Sequence, residues 1–177
     1  MALRDHIKEN HDTAEEHPFV KLLFSGGVSP QIYADYLINQ YVMYVKLEEL
    51  LEEKGLMVGV ETVKRNKLML VDIKELNLPC KVFNTTFRYL DYLDTVPDDK
   101  LMAHMYVRHF GDLFGGQLMK KVVPGSGAMY AFEDRSHLIK RLRERLDDNL
   151  ADEANKVMLW AIESFEELAN EHDIRIT

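Results

Sequence analysis

The distribution of proline and glycine is the feature that most constrains how this chain folds. These residues are well separated, and between them apolar side chains recur at the spacing of helices, without the alternation of strands. The pattern predicts helices at about 2–16, 30–53, 61–76, 80–94, 98–121, 133–149 and 151–172. Ser29 before Pro30 supplies a capping side chain followed by a first-turn proline. We therefore predict an all-α, single-domain helical bundle over residues 1–177.

Composition and charge narrow the class of protein. A hydrophobic content of 46% and a charged content of 29% are typical of globular proteins, and the net charge of −8 argues against a general nucleic-acid binder. No apolar run reaches the roughly 20 residues of a membrane span, and the charged start lacks the core of a signal peptide. Cys80 is the only cysteine, so no internal disulfide can form. We expect a soluble, cytoplasmic protein without nucleic-acid or membrane partners.

The segment GDLFGGQ, residues 111–117, is unusual for the middle of a helix. It holds three glycines in six residues, and each costs roughly 1 kcal/mol relative to alanine in a helix interior. On a helical wheel Arg108, Gly111 and Gly115 share one stripe, with Asp112 beside it. Bare backbone there would admit a flat or bulky ligand. Tight packing against another helix is the alternative, but it gives no reason for Asp112 on the same side.

The first helix carries a stripe of charged residues and a histidine. Arg4, Lys8, His11 and Glu15 follow one another at spacings of four, three and four. Glu15 could orient the His11 ring as a metal ligand, and the two cations could meet carboxylates of the same ligand. A solvated helix face with salt bridges is the more frequent explanation of such a stripe. Combined with the bare glycine stripe, however, a histidine favours a planar iron porphyrin held between two helices.

Four segments resemble the haem oxygenase family, in the right order along nearly the whole chain. HDTAEEHPF (11–19) is similar to the family's proximal-histidine segment, YVKLEELLEE (44–53) to a following helix, and SFEEL (164–168) to the end of the last helix. HMYVRHFGDLFGGQLMKK (104–121) closely resembles the distal-helix motif and is the most specific match. The resemblance implies an all-α fold that holds haem between a proximal and a distal helix.

The resemblance also implies an activity. Members of the family open the ring of haem b to biliverdin and release CO and ferrous iron, so haem is both cofactor and substrate. We expect the IXα isomer, with O2 as oxidant, ferredoxin or a similar reductant as electron donor, and a downstream bilin reductase as a further partner. A non-catalytic haem carrier or sensor of the same fold is the alternative.

Two activities without haem occur on the same fold. A di-iron oxidase would need Glu-x-x-His on two helices, a pattern that the sequence does not contain. A thiaminase-like hydrolase would need a nucleophilic cysteine, and Cys80 is the only candidate.

The resemblance assigns roles to individual residues. His11 matches the axial iron ligand, with His17 as its nearby rival, and Asp112 matches the residue that delivers protons through water. Catalytic roles are implied for Asp112, Gly111, Gly115, Arg108 and Tyr44. Haem-binding roles are implied for Arg4, Lys8, His11, Glu15, Tyr106, Gly111, Gly115, Gly116, Lys140 and Arg143. Lys140 stands one position from the family's lysine, and on an ideal wheel Tyr106 reaches the haem only if the helix bends at its glycines.

Two positions depart from the family's pattern. Phe114 stands where the family commonly has serine, and the wheel directs it away from the glycine stripe, so we expect it to pack in the core. Ala161 stands where some members have asparagine, and a thinner water network is expected there.

Overall fold

The computed structural model describes residues 2–175, and within them it contains helices and irregular segments only, which confirms the all-α prediction. The α-helices are α1 Leu3–His6, α2 Lys8–Glu15, α3 Pro18–Ser25, α4 Pro30–Glu53, α5 Asn66–Leu76, α6 Asn84–Leu93, α7 Leu101–Val122, α8 Arg135–Arg143 and α9 Ala151–Glu171. Short 3₁₀ turns cover Glu61–Val63, Asp98–Lys100, Ala128–Tyr130 and Asp148–Leu150.

The start of α4 follows the predicted capping chemistry. The Ser29 hydroxyl accepts a hydrogen bond from the Ile32 N–H at 3.2 Å, and Pro30 occupies the first turn. The predicted helix over 2–16 is wrong in one respect, because the chain leaves helical geometry at Ile7 and separates α1 from α2. Ile7 is buried and joins the same apolar cluster as Leu3, so tertiary packing overrides the continuous helical pattern.

Other boundaries differ where side chains bind the backbone. The predicted helix over 80–94 begins only at Asn84, because Asp35 and Asn39 of α4 accept the N–H groups of Lys81 and Phe83 at 2.9 and 2.8 Å. The predicted helix over 61–76 begins at residue 66, and the one over 133–149 ends at residue 143. Helix α3 was not predicted at all.

Helix α7 continues through all three glycines of the segment 111–117. Phe110, Leu113 and Met119 flank those glycines and are nearly fully buried. Burial of each such side chain contributes about 1.5–3 kcal/mol, which offsets the helix-breaking tendency of the glycines. Packing therefore holds α7 helical where its local sequence is weak.

The long helices α4 and α7 lie at the centre of the bundle, and α9 packs against α2, α3, α6 and α7. Buried apolar side chains form two clusters. One lies around the second half of α4 and the first half of α7, and the other lies around α3, the first half of α4 and the second half of α7. A cavity borders both clusters. Among residues 2–175, no helix combines the length and apolar character required to cross a bilayer.

Candidate functional site

A cavity of about 930 Å³ opens along α7, enclosed by α1, α2 and α3 on one side and by α4, α8 and α9 on the others. Most of its wall is apolar, and α7 borders it from Tyr106 to Met119. The predicted site residues on its wall are Arg4, His11, Glu15, Tyr44, Tyr106, Arg108, Gly111, Asp112, Gly115 and Arg143. Residues far apart in sequence therefore meet at one place.

Gly111 and Gly115 form a bare stripe of the cavity wall. A Cβ atom built on Gly111 would meet no atom within 4 Å, and one on Gly115 would meet only Phe24 Cζ, at 3.9 Å. Helix packing therefore does not account for these two glycines. Gly116 differs, because its Cβ would lie 3.2 Å from Tyr130 Cδ1. Gly116 packs against the turn around Tyr130 and does not line the cavity, so its haem-binding role stays a prediction.

Beside this stripe the cavity has a polar end. The Tyr44 hydroxyl of α4 donates a hydrogen bond to Asp112 Oδ2 at 2.6 Å. Burial raises the pKa of Asp112 to about 6, although the hydrogen bond from Tyr44 opposes the rise. An acid with this pKa can exchange protons near neutral pH. Tyr36 and Gln40 also line this end and were missed in the sequence, although they precede Tyr44 by two turns and one turn of α4.

Arg108 borders the cavity and is held from behind. Its Nε donates to the Tyr89 hydroxyl at 3.1 Å, and its guanidinium carbon lies 4.3 Å from the centroid of that ring. The Tyr89 hydroxyl also lies 2.6 Å from His104 Nδ1, and His104 Nε2 lies 2.9 Å from Glu153 Oε1. His104 is fully buried with both ring nitrogens engaged, so it positions neighbours and is not free to ligate.

A second buried pair lies behind Tyr44. His109 Nε2 is 2.8 Å from Glu48 Oε2, and both side chains are almost fully buried. Burial by itself would raise the pKa of Glu48, but the hydrogen bonds from His109 and from the N–H groups of Arg65 and Asn66 outweigh it and lower the pKa. The His109 ring also packs on the Tyr44 ring, with centroids 4.8 Å apart. This buried pair therefore supports the residue that holds Asp112.

The part of the wall formed by α2 carries the predicted metal ligand. His11 lies on α2, exposed at the cavity, with Nε2 3.7 Å from Glu15 Oε1 and Nδ1 4.0 Å from Asp12 Oδ1. The rival His17 is buried, accepts the Phe19 N–H at Nδ1 (3.1 Å) and has Nε2 2.8 Å from Glu166 Oε1. Both ring nitrogens of His17 are thus occupied, because Nδ1 caps the start of α3 and Nε2 contacts Glu166 of α9. His11, by contrast, lines the cavity.

Basic residues stand at the mouth of the cavity. Arg4 and Arg143 line it, and both lie near Tyr106. Burial raises the pKa of Tyr106, and the nearby charges of Arg4 and Arg143 oppose that rise. The cavity extends along α7 over several turns, and Tyr106 lines it. On the ideal wheel this residue lies far from the glycine stripe. Two predicted cations, Lys8 and Lys140, are exposed and lie outside the wall; Lys8 pairs with Asp12.

Three further sequence expectations can be compared with the structure. Phe114 is 51% exposed and lines the cavity, so the expectation that it packs in the core is wrong. Ala161 lines the cavity as well. Cys80 is exposed on the connection to α6 and does not border the cavity, and partial desolvation of its sulfur raises the pKa of the thiol. Cys80 therefore lacks the setting of a nucleophile.

Comparisons with known proteins agree with this arrangement. The family model described as Heme oxygenase matches residues 1–166. Heme oxygenase 2 of Macaca fascicularis is 28% identical over 202 residues, which cover 94% of this chain and 64% of that protein. The chain thus spans less than two thirds of the length of this relative.

Two solved structures are similar in fold. Heme oxygenase-2 from Synechocystis, solved in complex with heme and NO, superposes with a TM-score of 0.83 at 25% identity, covering 95% of this chain and 84% of that one. Heme oxygenase from Leptospira interrogans gives a TM-score of 0.79 at 26% identity, covering 93% of this chain and 97% of that one. The family match over most of the sequence, the fold and the cavity lead to one conclusion: the chain belongs to the heme oxygenase family.

Proposed function

We propose that this protein is a haem oxygenase that opens haem b to biliverdin with release of CO and ferrous iron. The observation that carries the proposal is the pair Gly111 and Gly115, which border open space in a cavity that also exposes a histidine and an acid. When bound, haem iron would supply the activation of O2. Binding and orienting the haem and delivering protons fall to side chains of this chain, within one haem oxygenase domain over residues 1–177.

The cavity fits a planar, largely apolar ligand with a charged edge. Its wall is mainly apolar, as the body of a porphyrin requires. Arg4 and Arg143 at its mouth would bind the two propionates, and guanidinium groups pair well with carboxylates. Lys8 and Lys140 are exposed nearby in sequence, and their long, flexible side chains could add charge there. Tyr106 would complete this edge.

His11 would bind the iron as a neutral imidazole. Its exposed ring borders the cavity, and Glu15 stands 3.7 Å from Nε2, close enough to influence the orientation of the ring. The two existing contacts of His17 argue against this role for it. His11 is therefore the proposed axial ligand.

Asp112 would deliver protons through ordered water. The Tyr44 hydroxyl engages Oδ2, whereas Oδ1 has no hydrogen-bond donor among the residues that the structure describes. Water at Oδ1 could pass protons to the ligand, because a carboxyl group with a pKa of about 6 both gains and loses protons near neutral pH. Arg108, fixed by Tyr89, would orient the same water.

The proposal includes the finer features of the reaction. Propionates fixed at Arg4 and Arg143 would set the rotation of haem in its plane, and we propose cleavage to the IXα isomer. Ferredoxin is the proposed electron donor and O2 the oxidant, with a bilin reductase downstream. A cytoplasmic location is consistent with a single, unpaired cysteine.

An absorbance time course tests the proposal. Purified protein is mixed with haemin, ferredoxin, ferredoxin reductase and NADPH in air, and the Soret band is followed. Decay of the Soret band with growth of a broad red bilin band is the expected result, and chromatography then identifies the isomer. A shifted but persistent Soret band would favour the non-catalytic carrier or sensor, and failure to bind haem would overturn the proposal.

A further inference from the structure

An aromatic row runs along α7 beside the glycine stripe. Tyr106, Phe110 and Phe114 follow one another at spacings of four residues and all line the cavity. Their ring centroids are 5.5 Å apart for the first pair and 5.7 Å for the second, within the range of favourable aromatic contacts. Phe110 is nearly fully buried, whereas Phe114 ends the row at the cavity mouth with half its surface exposed.

Two guanidinium groups contact the exposed ring of Phe114. The guanidinium carbon of Arg143 lies 5.5 Å from the ring centroid, and that of Arg135 lies 5.6 Å from it. Arg135 is held independently, because its Nε donates to the carbonyl oxygen of Leu113 at 2.7 Å. Arg143 has no salt bridge or side-chain hydrogen bond among residues 2–175, so the Phe114 ring is its main fixed neighbour.

Among residues 2–175, the carboxylates near the mouth form no ion pair with Arg143. Asp147 lines the cavity, but its Oδ1 accepts the N–H of Asn149 at 2.8 Å. Asp148 lies 3.9 Å from His6 Nε2. The charge of Arg143 is therefore available to an anionic ligand. The Phe114 ring orients the guanidinium group, and no acid neutralises it among the residues that the structure describes.

We propose that Phe114 is a positioning residue: its ring holds the Arg143 guanidinium at the cavity mouth, and Arg143 in turn fixes one carboxylate of the substrate. The inference rests on the proposed function for the identity of that carboxylate, a haem propionate. It explains a large exposed aromatic at a position where the resembling family commonly has serine. It also makes Phe114 a determinant of haem orientation, and hence of the meso carbon that is cut.

A double-mutant cycle tests whether Phe114 acts through Arg143. Haem affinity is measured for the wild type, Phe114→Leu, Arg143→Ala and the double variant. A cation–π contact at an exposed site predicts a loss of about two- to fivefold in Phe114→Leu, with no further loss when leucine is added to the Arg143→Ala background. Phe114→Tyr keeps the aromatic ring, so its haem affinity should equal that of the wild type. Leu118→Ser, an equally exposed position one turn further along α7, is the matched control and leaves the affinity unchanged.

The alternative role for Phe114 is direct apolar contact with the haem. In that case Phe114→Leu would retain most of the affinity, and the losses in the two single variants would add. Either outcome overturns the proposal. In turnover, the proposal predicts that Phe114→Leu yields a broader mixture of biliverdin isomers, whereas Leu118→Ser yields the wild-type product.

A measurement on the protein without haem separates this inference from the proposed function. The δ-methylene protons of Arg143 should show an aromatic ring-current shift in NMR spectra of the wild type, and Phe114→Leu should abolish it. Equal shifts in the two proteins would overturn the positioning role even if haem binds. A shift that is present in a protein that does not bind haem would instead refute the proposed function and leave the Phe114–Arg143 contact established.

Discussion

The Tyr44 hydroxyl donates a 2.6 Å hydrogen bond to Asp112 Oδ2 across the polar end of the cavity, from α4 to α7. Hydrogen bonding to a carboxylate stabilises its charged form. Tyr44→Phe should therefore raise the pKa of Asp112 above its value of about 6, by roughly one unit. Carbon-13 NMR of labelled aspartate across a pH series measures the pKa directly. An unchanged or lower pKa in the variant would contradict the contact.

The raised pKa of Asp112 also predicts how stability depends on pH. A carboxyl group whose pKa in the folded protein exceeds its ordinary value stabilises the fold below the ordinary pKa. This contribution is lost as the pH rises through about 6. Asp112→Asn removes this dependence. The free energy of unfolding of the variant, relative to that of the wild type, should therefore rise by about 1–2 kcal/mol between about pH 4 and pH 7.

Urea unfolding of both proteins at a series of pH values gives the difference in unfolding free energy. A difference that does not change with pH would show that the pKa of Asp112 is not shifted, and a difference that moves toward the wild type as pH rises would show that it is lowered. Either result would contradict the raised pKa.

Gly111 and Gly116 should respond in opposite ways to alanine. Gly111→Ala adds a methyl group to open space, so we expect the protein without haem to gain up to about 1 kcal/mol from helix propensity. The same methyl group should weaken haem binding. Gly116→Ala drives a methyl group to 3.2 Å from Tyr130 and should cost about 1–3 kcal/mol.

Thermal and urea unfolding, combined with haem titration, check both variants. Destabilisation by Gly111→Ala, together with unchanged haem affinity, would contradict the idea that this glycine is kept for a ligand.

The buried pair of His109 and Glu48 should be important for stability. Glu48→Gln removes the charge that partners His109 and weakens the acceptor for the N–H groups of Arg65 and Asn66. Loss of one member of a buried pair typically costs about 3–5 kcal/mol. Asp94→Asn breaks the exposed pair with Lys46 and serves as the control, with an expected change within about 1 kcal/mol. Equal effects of the two variants on urea unfolding would contradict the role of the buried pair.

Variants of His11 and His17 should differ in their haem absorbance spectra. His11→Ala should lose the histidine-ligated haem spectrum and regain it with added imidazole, because the cavity then admits the free ligand. His17→Ala should keep the spectrum but lose about 1–2 kcal/mol of stability, since its ring caps α3 and contacts Glu166. An unchanged spectrum in His11→Ala would exclude it as the axial ligand.

The sequence predicted the long helices and many of the residues that line the cavity, and its errors about the structure have physical causes. Helix α7 was predicted from its apolar spacing despite three glycines, and the structure confirms it. Helix α3 was missed, although His17 before Pro18 repeats the capping signal of Ser29 before Pro30, because histidine is an infrequent capping residue.

Other errors arose where local pattern could not reveal three-dimensional neighbours. The wheel directed Phe114 to the core, but the ring lies at the cavity mouth between arginines from α8. Nothing in the sequence shows that the turn around Tyr130 packs against Gly116 and not against Gly115. The buried chain behind Arg108 joins residues from three helices, and only the fold brings them together.

The yield of carbon monoxide tests the central claim most directly. The protein is supplied with haem labelled with carbon-13 at the meso positions, together with ferredoxin, its reductase and NADPH in air, and labelled CO in the headspace is measured by mass spectrometry. The account predicts CO in an amount equal to the haem consumed, with Asp112→Asn consuming haem far more slowly. Loss of haem without labelled CO, or stable haem binding without consumption, would contradict it.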